Sequence, residues 1–154
     1  MRAAAGLPML LAVAALAGCA AGAAGRTAIS TPAAPAAIGP YSQAIRAGDA
    51  VYVAGQLGLD AATGKMVDGG IEAETRQALL NVTAILAATG LGLEDVVQTQ
   101  VFLADLDDFQ TMNSVYAGFF SGAPPARGTI QAARLPRGAR IEILAIAVRP
   151  GYRR

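Results

Sequence analysis

Residues 124–148 read Pro-Pro-Ala-Arg-Gly-Thr-Ile-Gln-Ala-Ala-Arg-Leu-Pro-Arg-Gly-Ala-Arg-Ile-Glu-Ile-Leu-Ala-Ile-Ala-Val. Two strands are expected here. The first begins just after Pro124-Pro125, a pair that cannot sit in a central ladder because proline has no N–H to donate. The second, Arg140 to Val148, alternates with the two-residue period of a strand. Ile141, Ile143, Ala145 and Ala147 fall on one side, and Glu142, Leu144, Ile146 and Val148 on the other. Both sides are apolar except at Glu142, and such a strand is normally covered on both faces. A carboxylate in that position must lie near a strand end, be paired, or have its pKa raised by desolvation. Arg127, opening the neighbouring strand, is the obvious cation to pair with it; Arg137 and Arg140 offer local ion pairs as an equal alternative.

Outward from this stretch, the composition narrows the chemistry. The chain has 154 residues, enough for one domain with a substantial core. A formal net charge of +1 gives no reason to expect nucleic acid or an anionic surface as partner. There is no histidine and one cysteine, Cys19. Histidine triads, Cys-His pairs and imidazole metal sites are therefore excluded, and there is no disulfide framework and no dithiol. Any catalysis must run on carboxylate, guanidinium, hydroxyl and backbone groups, a set suited to adding an oriented water to an already electrophilic substrate.

Residues 1–18 pair a short basic start at Arg2 with a nearly continuous Ala/Leu/Val/Met run, too short for a comfortable membrane span and the right length for a signal-peptide core. Leu16-Ala17-Gly18-Cys19 resembles a bacterial lipobox, which implies lipidation at Cys19 and an exported, membrane-anchored protein. Ala20 after the cysteine favours the outer membrane. Residues 19–37, rich in Ala, Gly, Ser, Thr and Pro, are expected to form a flexible tether reaching at most about 60 Å, with the folded domain spanning 38–150. Within it, Ser42–Arg46 and Val51–Leu57 make a hairpin around Gly48-Asp49. Gly55 inside the return strand implies close approach of a backbone or a ligand. A helix follows from about Ile71 to Thr89, with Gly90 as its terminator. Val96–Leu103 is a β-branched strand. Asp105, Asp107 and Asp108 announce a second helix running to about Phe120; their spacing is not that of a calcium loop. The resulting β-β-α-β-α-β-β order is an α+β fold, a mixed sheet with two helices on one face. The other face keeps apolar residues and no helix, which points to self-association.

Several separate segments resemble the RidA/YjgF family: Pro-Ala-Ala-Ile-Gly-Pro-Tyr-Ser-Gln-Ala (35–44), Ala-Gly-Gln (54–56), Ala-Thr-Gly-Leu (88–91), Val-Phe-Leu-Ala-Asp-Leu-Asp-Asp-Phe (101–109), Asn113 with Tyr116 and Phe119-Phe120, Pro-Ala-Arg (125–127), Ala-Arg-Leu-Pro (133–136) and Ile-Glu-Ile (141–143). The resemblance implies a chorismate-mutase-like fold, a homotrimer whose sheets form a central barrel, and active sites in the clefts between subunits. It implies an enamine/imine deaminase that converts 2-imino acids to 2-keto acids without a cofactor. By the same resemblance Arg127 grips the substrate carboxylate, Glu142 positions the attacking water and Tyr41 lines the cleft. Gly55 offers its backbone to the ligand and Thr129 a hydroxyl. Arg134 and Asn113 match as structural residues. The chain departs from the family at Gly128-Thr129, at Ala54 where a serine is common, and at Leu144, which some members replace with an acidic residue. The alternative on the same scaffold is a non-catalytic trimeric binder of small carboxylates. Nuclease activity, described for some relatives, is disfavoured by the near-neutral charge.

Overall fold

A computed structural model describes residues 25–120 and 122–151. The signal segment 1–18, Cys19 and the first part of the expected tether lie outside the described residues. The elements are β1 (Arg26–Ile29), β2 (Ala44–Ala47), β3 (Ala50–Leu57), α1 (Gly70–Ala87), β4 (Val96–Leu103), α2 (Phe109–Ala117), β5 (Ala126–Gln131) and β6 (Ile141–Val148). They form one six-stranded sheet in the order β1-β2-β3-β6-β4-β5. Every neighbouring pair is antiparallel except β4–β5. Both helices pack on one face, so the α+β expectation holds.

Two expectations are corrected. Residues 26–37 are not a tether: Arg26–Ile29 pairs antiparallel with β2, from Arg26↔Ala47 to Ile29↔Ala44. The segment after it is pinned by Gln43, a residue only 4% exposed. Gln43 Oε1 accepts from Thr31 N at 2.6 Å, and its Nε2 donates to the carbonyls of Thr31, Ala34 and Pro35 at 3.1, 3.1 and 2.8 Å. An edge strand held by backbone pairing and a glutamine needs no apolar periodicity, and Arg26 to Ala28 are exposed.

The second correction concerns β5 and β6, which are not neighbours. β4 lies between them, parallel to β5 (Val101↔Thr129) and antiparallel to β6 (Val101↔Ile143). A parallel neighbour needs a crossover longer than a hairpin; α2 supplies it and leaves β5 at the sheet edge. Residues 132–140 then carry the chain past β4, through a 3₁₀ turn at Pro136–Gly138.

Local chemistry sets the helix ends. In α1, Leu79, Val82, Ile85 and Leu86 are fully buried against the sheet. The helix stops at Ala87, slightly before Thr89, because Gly90 takes φ 75° and Leu91 N donates to Leu86 O at 3.1 Å, the six-to-one bond of a Schellman ending. The Asp105 carboxylate accepts from Asp107 N at 3.0 Å, capping the 3₁₀ turn Leu106–Asp108 that leads into α2. That helix ends at Ala117, short of Phe120.

The core lies between sheet and helices, with Val51, Val101, Leu103, Ile141 and Ile143 facing α1 and α2 at 0–1% exposure. The opposite sheet face carries Tyr52 at 48% and Ile130 at 56% exposure, beside half-buried Leu144 and Ile146. No helix covers it among the described residues.

Gln43→Ala should leave the Thr31 N–H and the Ala34 and Pro35 carbonyls without their partner, lowering stability by about 1–3 kcal/mol. Hydrogen exchange should show the loss of protection centred on residues 26–35.

Candidate active site

The bulge between Val53 and Gln56 in the β3–β6 pairing puts Ala54-Gly55 out of register beside β6. Such irregularities re-aim a strand locally, and here the space is taken by Glu142. A Cβ built at Gly55 would lie 2.7 Å from Glu142 Cδ and 2.9 Å from Cγ, and closer still to the carboxylate oxygen Oε1. Only glycine fits. The close approach expected at Gly55 is that of the Glu142 side chain. Among the described residues Glu142 has no ion pair: Arg140 bridges to Asp108 at 3.2 Å, and Arg137 is exposed in the 3₁₀ turn. Burial pushes the Glu142 carboxyl above its ordinary pKa of 4.5. Of the options open to a carboxylate on this strand, it lies near the strand start and is desolvated rather than paired.

Tyr41 reaches the same place. Its backbone N donates to Gly39 O at 2.8 Å and its phenol oxygen accepts from Ile38 N at 3.3 Å, so the ring folds over its own turn while remaining 51% exposed. A cavity of about 420 Å³ is lined by Tyr41, Gly55 and Glu142 together with Ile38, Leu144 and Pro136.

Helix α1 holds both walls of this cavity. Asn81 Nδ2 donates to the carbonyls of Leu57 and Leu59 at 3.1 and 2.9 Å, fixing the exit of β3. Glu74 Oε2 accepts from Arg140 N at 2.8 Å, fixing the entry of β6. Both side chains are buried, at 1% and 5% exposure. The sequence reading missed them; the available signal was two strongly polar residues seven apart on a helix face that is otherwise apolar except at Thr75.

Arg127 and Thr129 lie elsewhere. Arg127 is opposite Thr99, which is opposite Ala145, whereas Glu142 is opposite Phe102 and Ile130. Paired residues share a face and successive residues alternate, so Arg127 and Thr129 point to the helix face and Glu142 to the other. The ion pair envisaged between Arg127 and Glu142 does not form within the chain. Instead the guanidinium stacks on Tyr116 at 4.5 Å from the ring centroid. Its Nη2 donates to Asn113 Oδ1 at 2.6 Å. Tyr116 is itself held by a 2.7 Å hydrogen bond between its phenol and the Thr99 hydroxyl; burial raises its pKa. Arg127 makes no salt bridge among the described residues. The Thr129 hydroxyl, on the same face, is buried without a hydrogen-bond partner among the described residues. Gly128 is not dictated by crowding, since a Cβ there would meet open space, and Arg134 is exposed.

Each half is chemically distinct. One offers a desolvated carboxylate able to take and return a proton. The other offers a pre-oriented guanidinium with donors free for a planar anion. Among the described residues no three His, Cys, Asp or Glu side chains are grouped to hold a metal ion.

A family model described as Endoribonuclease L-PSP matches residues 31–149. A 2-iminobutanoate/2-iminopropanoate deaminase of Mus musculus is 52% identical over 123 residues, 80% of this chain and 91% of its own. The YjgF gene product of E. coli superposes with a TM-score of 0.78 at 44% identity, covering 80% of this chain and 99% of that one. TdcF of E. coli, solved with bound serine, gives 0.78 at 41% identity over 80% and 99%. With a family model over residues 31–149, relatives about half identical and solved structures superposing at a TM-score of 0.78, the chain belongs to the RidA/YjgF family, whose model carries the description Endoribonuclease L-PSP.

Proposed function

We propose that this protein hydrolyses reactive 2-enamines and 2-imino acids to 2-keto acids and ammonia, at sites shared by neighbouring subunits of a homotrimer. The observation that carries the reading is the desolvated, unpaired Glu142 carboxylate seated on Gly55 in a cavity. It occurs in a chain about half identical to a named 2-iminobutanoate/2-iminopropanoate deaminase. The exposed sheet face supports self-association, since apolar patches of this kind are normally covered by a partner, and trimerisation is the form the resemblance implies. Within one chain Arg127 and Glu142 are on opposite sheet faces. A complete site therefore takes Glu142, Tyr41 and Gly55 from one subunit and Arg127 with Thr129 from the next.

In this reading the substrate carboxylate docks on Arg127, whose rotamer is fixed by Asn113 and Tyr116. The protonated imine makes its carbon electrophilic. Glu142 orients a water and takes its proton as the carbon–oxygen bond forms, giving a carbinolamine. Glu142 returns that proton to the amino nitrogen; as the carbon–nitrogen bond breaks and ammonia leaves, the carboxylate takes the carbinolamine hydroxyl proton, the carbonyl forms, and the proton passes on to solvent or to the released ammonia. Such imines already hydrolyse in water, so positioning and proton transfer suffice.

We further propose that the protein is exported and anchored through lipidated Cys19. The first described strand begins at Arg26, so the six positions 20–25 would set the distance from the lipid, about 20 Å at full extension. Cys19→Ser should move the protein from the membrane fraction to the soluble one; unchanged fractionation would refute the anchor.

Arg127→Ala should slow catalysed imine loss by about 30-fold or more, the scale for removing one partner of a buried charge pair, while sedimentation still reports the wild-type mass. Activity kept in that variant would remove Arg127 from the site. Glu142→Gln should cost about a hundredfold or more. Because burial raises the Glu142 pKa, the base form is lost as pH falls through a value above 4.5, and the acidic limb of the pH–rate profile should end there and vanish in the variant. For stability the sign is opposite. The folded state holds this proton more tightly than the unfolded chain, so ionisation at higher pH destabilises the fold. Glu142→Gln should raise the thermal midpoint at pH 7, with the gain disappearing below the ordinary value of 4.5.

A further inference from the structure

Hydrolysis uses Glu142 as a base, yet its setting suits the opposite task equally well. The residue is half-buried on β6, and its carboxyl is seated so closely on Gly55 that a Cβ there would overlap Oε1. It makes no ion pair among the described residues, and burial pushes its pKa above the ordinary 4.5. A carboxyl so placed holds its proton more readily than a solvated one.

Few titratable or charged groups face it. The segment before β2 brings the Tyr41 phenol, and β3 and the rest of β6 bring none to the lining of this cavity. Strand β4 sets Phe102 opposite it. Arg140 is taken by Asp108, Glu74 binds Arg140 N from the helix side, and Arg137 is exposed in the turn before the strand. The neighbouring subunit of the proposed site adds Arg127, whose charge is matched by the substrate carboxylate it holds.

A 2-enamine is planar about C2 and C3. Water adds to C2 along the perpendicular to that plane, and a proton adds to C3 along a parallel line one bond away. A carboxyl fixed over one face to direct water at C2 therefore also covers C3 on that face. From this we infer that Glu142, in its protonated form, first delivers a proton to C3 of a 2-enamine, so that the protein catalyses enamine-to-imine tautomerisation as well as the hydrolysis that follows. The inference rests on the deaminase reading above and adds a proton-transfer step to it.

In that step the carboxyl O–H bond breaks as the C3–H bond forms from the carbon–carbon π pair. The nitrogen lone pair closes the C2–N double bond, leaving a cationic imine facing a carboxylate. That carboxylate is the base that hydrolysis requires. At the end of hydrolysis Glu142 keeps the carbinolamine hydroxyl proton and is ready for the next enamine. The sum is enamine plus water giving keto acid plus ammonia, with no proton gained or lost. An imine supplied directly meets Glu142 already ionised, and the last proton then goes to ammonia or solvent.

The test uses the full chain in deuterium oxide. A lyase acting on threonine supplies 2-aminocrotonate, and the 2-keto acid is reduced at once by a dehydrogenase with NADH to prevent exchange at C3. The configuration of the C3 deuterium is read by NMR, with reactions lacking this protein as the baseline. Preformed 2-iminobutanoate, made from 2-aminobutyrate by an amino-acid oxidase, measures hydrolysis alone. One C3 configuration should appear in about tenfold excess or more, within the range that a positioned proton donor supplies. Glu142→Gln, at wild-type mass by sedimentation, should return the baseline ratio. With wild-type protein, catalysed enamine loss should fall as pH rises through the Glu142 pKa, above 4.5, while imine hydrolysis rises. A baseline ratio beside accelerated imine hydrolysis, or parallel pH profiles for the two substrates, would overturn the tautomerisation and leave the deaminase reading standing. An excess that survives in Glu142→Gln would overturn the assignment of the proton to Glu142. Acceleration of neither substrate would overturn the deaminase reading itself.

Discussion

The constraint on which the rest depends is geometric: Arg127 and Glu142 belong to strands separated by β4, and their side chains leave the sheet on opposite faces. A sheet blocks any direct meeting of the two groups within one chain. The isolated subunit thus holds two incomplete pieces of chemistry, each well prepared. The carboxylate is desolvated and rests on a glycine where any side chain would displace it. The guanidinium lies over an aromatic ring with an amide fixing one end. Preparation of this kind has an energetic cost, since a half-buried carboxylate without a cation and a buried hydroxyl without a partner among the described residues both disfavour the folded state. The proposed subunit contact gives that cost a purpose.

The supporting structure follows the same division. Helix α1 uses Asn81 and Glu74 to hold carbonyls at the end of β3 and the amide before β6, so the strand that carries the Ala54-Gly55 bulge and the start of β6 are tied to one helix. Helix α2 serves the other half through Asn113 and Tyr116. Neither helix contributes the proposed proton-transfer group. Their part is to make two strand positions rigid, which is what positioning a water against a carbon requires.

Much of the fold was legible because it depends on periodicity and caps. The bounds of β4 follow from its β-branched run, the end of α1 from Gly90, and the Asp105 cap from its place before an apolar helix. The misses share one cause. β1 is held by backbone pairing and by Gln43, and neither leaves a mark in hydropathy. The separation of β5 from β6 is decided by the crossover through α2, which no local pattern encodes. In the site, Gly55 and Glu142 could each be singled out, one as a glycine in a strand and the other as a charge in an apolar run, but their mutual contact comes from a register shift. Asn113 was read as structural, and its bond to Arg127 is visible only once α2 and β5 are packed.

The most direct measurement of a shared site is subunit complementation. Arg127→Ala and Glu142→Gln proteins, each of low activity, are unfolded together, refolded as a one-to-one mixture and assayed for imine loss. If one subunit supplies the arginine and its neighbour the glutamate, random reassembly restores intact pairs at about a quarter of the interfaces, and activity should return to about that fraction of wild type. Mixed oligomers that form yet stay as inactive as either parent would contradict the account.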